Sequence, residues 1–318
     1  MNIADLIPEY RSEINSGLAD IYPRGPISLT KPVAYVLNGA GKRLRPLLTI
    51  FSAEACGGTK SGVFSAALAV EVLHNFTLVH DDIMDQDSIR HGQETVHNKW
   101  DDGVAILTGD AMLSLALRLL NKTPVESHLQ MKIFIDGLLA VCEGQALDKE
   151  FENQSSVSLD DYMKMIDLKT GHLIGLAAEL GAVSTGMDSE ICEKVRDYGR
   201  LIGRAFQIQD DYLEIFSNSF NMGKSLESDI ILGKKTFLMI QALEKDTDII
   251  NSALELARNN FEKGIGNIRS YLENEGIKKR AQEEINNILK LADKKLNDLP
   301  IDKEKLLYFS KIIKKRGN

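Results

Sequence analysis

Carboxylates at i, i+1 and i+4 occur twice in the 318-residue chain: Asp81, Asp82 and Asp85 in HDDIMDQD, and Asp210, Asp211 and Glu214 in FQIQDDYLE. Each set closes an apolar, helix-periodic stretch. On a helix, i and i+4 share a face, so Asp81 and Asp85 can grip one object together. Anions gathered there repel one another, and the C-terminal end of a helix adds its negative pole to the cost. A hard cation offsets that charge. Magnesium bound by one or two carboxylates plus a phosphate fits these donors, and no thiolate or histidine cluster nearby points to zinc. One such cluster reads equally well as a solvated acidic turn; the second copy favours metal, because two clusters facing one cavity could clamp a diphosphate leaving group through several magnesium ions.

Cations stand where such chemistry needs them. Gly41-Lys42-Arg43-Leu44-Arg45-Pro46 places Lys42 and Arg45 three apart on one helix face, suited to a second diphosphate bound without metal. Arg90-His91 follow the first acidic cluster, Lys169-Thr170 precede Gly171, and Lys224 and Lys234 flank Asp229. Taken singly, each is an ordinary surface group. The chain as a whole is acidic, with 38 Lys and Arg against 46 Asp and Glu, which argues against a general nucleic-acid binder and requires any anionic ligand to be held by a local patch.

The elements that must position these groups read as helices. Seven prolines leave long stretches in which apolar residues recur three and four apart, so the fold class is all-α. Residues 62–79 are apolar nearly all round apart from Glu71 and His74, the pattern of a central helix running into the first cluster. Residues 104–120, 131–147, 173–183 and 191–216 share that buried character, whereas 251–299 is charge-rich with a thin apolar stripe and reads as an outer layer. No linker or repeat divides the chain, so one domain over residues 1–318, a single large helical bundle of roughly a dozen helices, is expected. Three scattered cysteines offer neither a disulfide framework nor a CxxC metal site and fit a cytoplasmic setting. No secretion signal is visible at the start, and charges interrupt the apolar stretches before a membrane span is reached.

In this order, GKRLRP, LVHDDIMDQDSIRHG, DLKTGHL, FQIQDDYLE and MGKSLESDIILGKKT resemble the motifs of the trans-isoprenyl diphosphate synthases, the farnesyl and geranylgeranyl diphosphate synthase family, over about residues 30 to 240. The resemblance implies helices around a deep central cavity, a homodimer, magnesium, and two diphosphate substrates: isopentenyl diphosphate and an allylic partner (dimethylallyl, geranyl or farnesyl). It assigns Asp81, Asp82, Asp85, Asp210 and Asp211 to magnesium. Glu214 stands where the family often has aspartate and is the least certain ligand of the six. Lys42, Arg45 and His74 match isopentenyl diphosphate positions; Arg90, Lys169, Thr170, Gln207, Lys224 and Lys234 match positions around the allylic diphosphate. His91 replaces a second arginine that normally contacts isopentenyl diphosphate, which implies weaker, pH-sensitive binding of that substrate.

Tail length has its own candidate. Phe76 lies five residues before Asp81, about 7.5 Å deeper along a helix, beside the small Thr77. An aromatic floor there points to a stop at a short or medium chain; the motif spacing resembles the archaeal geranylgeranyl synthases, which implies geranylgeranyl diphosphate as product, with farnesyl diphosphate the close rival. Three other readings stand beside the synthase. A terpene cyclase has no use for Lys42, Arg45 and His74; a histidine-aspartate phosphohydrolase needs histidine ligands near His80-Asp81; a non-catalytic helical partner subunit is motivated by His91 alone.

Overall fold

The computed structural model describes residues 3–216 and 234–315. Among them the chain is almost wholly helical: α1 (Ile3–Ala19), α2 (Ile27–Leu37), α3 (Leu44–Ala55), α4 (Lys60–Asp85), α5 (Val96–Lys99), α6 (Asp102–Leu120), α7 (Ser127–Glu152), α8 (Leu159–Ile166), α9 (His172–Val183), α10 (Ser189–Phe216), α11 (Phe237–Lys245), α12 (Thr247–Asn259), α13 (Phe261–Asn274), α14 (Ile277–Asn297) and α15 (Glu304–Lys315). A five-residue π-turn, Asp167–Gly171, joins α8 to α9. The strands among the described residues are β1 (Ile89–Arg90) and β2 (Gln93–Glu94), paired antiparallel.

Two compact units emerge, one of residues 1–136, 176–196 and 299–308, the other of 137–175, 197–298 and 309–318. In the first, α4 is the inner helix. Thr59 caps its start by accepting from the Gly62 amide, and its alanine-rich middle is buried through Ala66, Ala67, Ala69, Val70, Val72 and Leu73 against α3 and α6. The helix stops at Gln86, whose left-handed backbone (φ 55°) ends it just after Asp85. The acidic motif therefore occupies its last turn.

Residues 104–120 do not share the burial that their composition implies. Thr108, Gly109, Met112 and Ala116 of α6 face inward, yet Ile106 and Leu107 are 47% and 62% exposed. Composition cannot tell a buried helix from one with an uncovered apolar face, and α4 and α6 are both long and apolar enough to cross a membrane on those grounds alone.

In the second unit, α11 packs against α8, α12 and α14, and α12 pairs with α13. Asp246 and Asn260 cap α12 and α13 by accepting from the amides of Ile249 and Lys263. Gln282 of α14 donates to the Tyr212 hydroxyl (2.9 Å), tying the end of α10 to a later helix.

Candidate active site

The first acidic cluster belongs to the first unit, together with Lys42, Arg45 and Arg90. Asp81 and Asp85 are half-buried, whereas Asp82 is turned inward and 5% exposed. Arg90 holds Asp82 through Nε and reaches Asp87 through Nη2 (3.2 Å). Arg90 is positioned by the hairpin: His91 (φ 50°) and Gly92 (φ 78°) form a two-residue turn with both residues left-handed, which folds β2 back onto β1. Burial pushes the Asp82 carboxyl up to about 6, against the pull of Arg90.

Lys42 and Arg45 flank a strained point in the chain. Arg43 is left-handed (φ 51°), unusual for a long side chain, and its guanidinium is buried. It donates to Glu71 (2.8 Å), to the carbonyls of Leu37 (2.8 Å) and Gly39 (2.7 Å), and to Asn15 (2.9 Å). Four bonds over-determine the bend and set the start of α3, hence the stations of Lys42 and Arg45. Sequence reasoning passed over Arg43; its signal was Glu71, an acid inside an otherwise apolar helix that needs a buried partner.

Arg45 Nη1 lies 3.0 Å from His74 Nε2. Arginine only donates, so Nε2 accepts and the imidazole proton resides on Nδ1. Burial first, then Arg45, Arg90, His91 and Arg43, hold the His74 pKa well below its ordinary value, so the ring is neutral. Its Nδ1 is sealed from solvent and has no hydrogen-bond partner among the described residues. His91 titrates low for related reasons, burial and then Arg90, Arg43 and Lys42. These mutual effects gather Lys42, Arg43, Arg45, His74, Arg90 and His91 into one electropositive patch of an acidic protein.

Phe76 is buried in α4, and its ring meets His80 edge-on at 4.7 Å. His80 packs against Gly109 of α6, where an added Cβ would sit 2.1 Å from Nε2. It has an aromatic and a packing role, with its Nε2 3.4 Å from the Ile106 carbonyl.

The second cluster repeats the logic of the first. Asp210 and Glu214 are half-buried, i and i+4 on α10, while Asp211 is 5% exposed. Its carboxylate accepts from the Tyr162 hydroxyl (2.5 Å), the Phe237 amide (3.0 Å) and Gln207 Nε2 (3.1 Å). Burial is the largest influence and, despite those donors, raises its pKa to about 6. In each cluster the i+1 carboxylate is buried and bonded to protein donors while the i, i+4 pair is half-buried, a distinction that the spacing did not reveal.

Thr170 donates to Gln207 Oε1 (2.9 Å), and Lys169 pairs with Asp148 of α7 (2.6 Å), so the π-turn, α7 and α10 share one hydrogen-bonded network. Glu214 and Lys234 meet at another feature of this unit, a cavity of about 390 Å³ with apolar walls that include Ile215, Met239, Ile240 and Leu243. Lys224 lies outside the described residues. His172 Nε2 lies 4.0 Å from Asp167, five residues back across the π-turn and one beyond the i, i+4 spacing of an α-helix.

Among the described residues no three His, Cys, Asp or Glu side chains converge as a closed metal cage. Paired carboxylates without imidazole or thiolate are hard oxygen donors that leave most of a cation's coordination to water and substrate, which fits magnesium bound with a diphosphate.

The polyprenyl synthetase family model matches residues 27–272. A geranylgeranyl diphosphate synthase of Methanosarcina mazei is 40% identical over 249 residues, covering 77% of each chain. A geranylfarnesyl diphosphate synthase of Natronomonas pharaonis is 35% identical over 269 residues, covering 78% of this chain and 79% of its own. The crystal structure of a geranylgeranyl pyrophosphate synthetase from Pyrococcus horikoshii superposes with a TM-score of 0.91 at 31% identity, over 98% of both chains.

Proposed function

This chain belongs to the polyprenyl synthetase family and is a prenyltransferase, and from that premise we propose that it condenses isopentenyl diphosphate with a short allylic diphosphate to give geranylgeranyl diphosphate. One observation carries the two-substrate reading: the cluster of Lys42 and Arg45 with the neutral imidazoles of His74 and His91, which is suited to a diphosphate held without metal. A cyclase, which binds one diphosphate, has no use for it.

The family is generally metal-dependent. Asp81 with Asp85 in the first unit, and Asp210 with Glu214 in the second, would hold magnesium against the allylic diphosphate, where the ion supplies charge neutralisation for a leaving group. Asp82 and Asp211, matched to the same ions, also brace the site: one fixes Arg90, the other fixes Gln207 and the start of α11.

In the reaction, the allylic C–O bond breaks and its electron pair departs with diphosphate. Negative charge grows on oxygens that Arg90, Lys169, Thr170, Lys224 and Lys234 would contact, so these donors bind the transition state more tightly than the ground state. The allylic cation is attacked by the terminal alkene carbon of isopentenyl diphosphate, forming the C–C bond. The departing diphosphate takes the proton whose loss restores a double bond. Lys42, Arg45 and His74 anchor the isopentenyl diphosphate while its hydrocarbon end reacts. Phe76 limits the growing tail.

We place the enzyme in the cytoplasm. The exposed Ile106 and Leu107 face of α6 supports assembly as a homodimer. Incubation with magnesium and dimethylallyl diphosphate, with and without isopentenyl diphosphate, tests the reading. Pyrophosphate release should require the second substrate; rapid release from the allylic diphosphate alone, with a cyclic hydrocarbon as product, would point to a cyclase.

A further inference from the structure

Asp167 is a carboxylate 6% exposed at the first position of the π-turn. Arg200 grips it through both Nε (3.3 Å) and Nη2, Arg204 Nε lies 3.1 Å from Oδ1, and His172 Nε2 is 4.0 Å from Oδ2. Burial opposes its charge, yet the two arginines and His172 outweigh burial and hold the pKa below the usual carboxylate range. Arg200 and Arg204 are one turn apart on α10 and bracket Gly203. There the two backbones touch: a Cβ on Gly203 would lie 2.7 Å from the Gly171 Cα, and one on Gly171 would lie 2.7 Å from Asp167 Oδ1. On the other side, a Cβ on Gly144 of α7 would fall 2.3 Å from the Lys169 amide nitrogen.

A π-turn is rare and less favourable than the α-helix it interrupts, with the His172 amide bonded five residues back to the Asp167 carbonyl. A buried ion pair is poor value as a stabiliser, since well-packed apolar groups do as well; its attested use is to fix one arrangement over another. Here the arrangement fixed is the register of the π-turn on α10. Between Asp167 and Gly171 lie Lys169, paired with Asp148, and Thr170, bonded to Gln207.

We propose that Asp167 is a positioning residue for prenyl transfer: by locking the π-turn to Arg200 and Arg204, it sets where Lys169 and Thr170 meet the allylic diphosphate. This rests on the functional reading above. Lys169 and Thr170 are the groups that touch substrate; Asp167 acts through them.

Asp167→Asn, Asp167→Glu and Arg200→Gln test it, compared with wild type in two measurements. Amide hydrogen exchange without substrate should accelerate in a peptide covering residues 163–172 of Asp167→Asn and stay unchanged across α4. In steady state, kcat should fall about 10- to 100-fold, the scale of a misplaced contact, and the KM for the allylic diphosphate should rise, while the KM for isopentenyl diphosphate stays within about twofold of wild type. Asp167→Glu should recover part of kcat, and Arg200→Gln, which leaves Arg204 in place, should fall between. Accelerated exchange with kcat and both KM values unchanged would overturn the proposal, as would equal rises in both KM values. A wild-type enzyme that does not elongate prenyl diphosphates would sink the functional reading instead; the exchange result, which needs no substrate, would still decide whether Asp167 holds the turn.

Discussion

At residue scale, the two acidic motifs divide their labour in a way that the spacing does not announce. Asp81 with Asp85 and Asp210 with Glu214 are half-buried, while Asp82 and Asp211 are buried and held by Arg90 and by Tyr162, Gln207 and the Phe237 amide. The i, i+4 logic was legible because helix geometry is periodic; the inward turn of i+1 was not, because it depends on partners 8 to 49 residues away. His91 was legible as an oddity, but its place in a left-handed hairpin turn was not. Burial and three cationic neighbours keep its imidazole neutral at pH 7. The electropositive patch therefore gains one further charge only as the pH falls below that lowered pKa. His91→Arg supplies the charge at every pH, so at pH 8 its KM for isopentenyl diphosphate should be several-fold below that of wild type. The wild-type to variant ratio should shrink towards 1 as the pH is lowered. His91→Asn, which suits the same left-handed backbone, controls for the turn and should not lower KM. An unchanged KM in His91→Arg at pH 8 would remove His91 from the substrate site.

At the scale of elements, α4 was read from sequence as a central helix ending in the first cluster, and the structure gives Lys60–Asp85 with that burial. All-round apolarity made it legible. The exposed face of α6 escaped because its outward residues are as apolar as its inward ones. The π-turn escaped because one inserted residue leaves no mark on the hydrophobic pattern. Helix contact also gives Phe76 its setting. Phe76, His80 and Gly109 form a stack from α4 to α6, in which the absence of a side chain at Gly109 lets the His80 ring support Phe76. Phe76→Ala removes the bulk while leaving His80 on Gly109. With one allylic primer, reversed-phase chromatography should show products one or more isoprene units longer than those of wild type, with kcat reduced by less than about tenfold because no diphosphate contact is lost. An unchanged product distribution would transfer the stop to another residue, Leu73 one turn further along α4 being next.

At the scale of the whole molecule, each unit holds one acidic pair and its own donors: Lys42, Arg45 and His74 in the first, Lys169 and Thr170 in the second. The order of motifs along the chain made the family legible, and the family match confirms it over residues 27–272. Product length is less firmly written. Relatives of 35–40% identity include both a geranylgeranyl and a geranylfarnesyl diphosphate synthase, so overall identity alone does not set it. The most direct measurement is the chain length made from labelled isopentenyl diphosphate with dimethylallyl, geranyl and farnesyl diphosphates in turn, with magnesium and with excess chelator. A C20 diphosphate from all three primers, abolished by the chelator, is the expected result. Incorporation that persists without metal, or no label passing into any prenyl chain, would contradict the account.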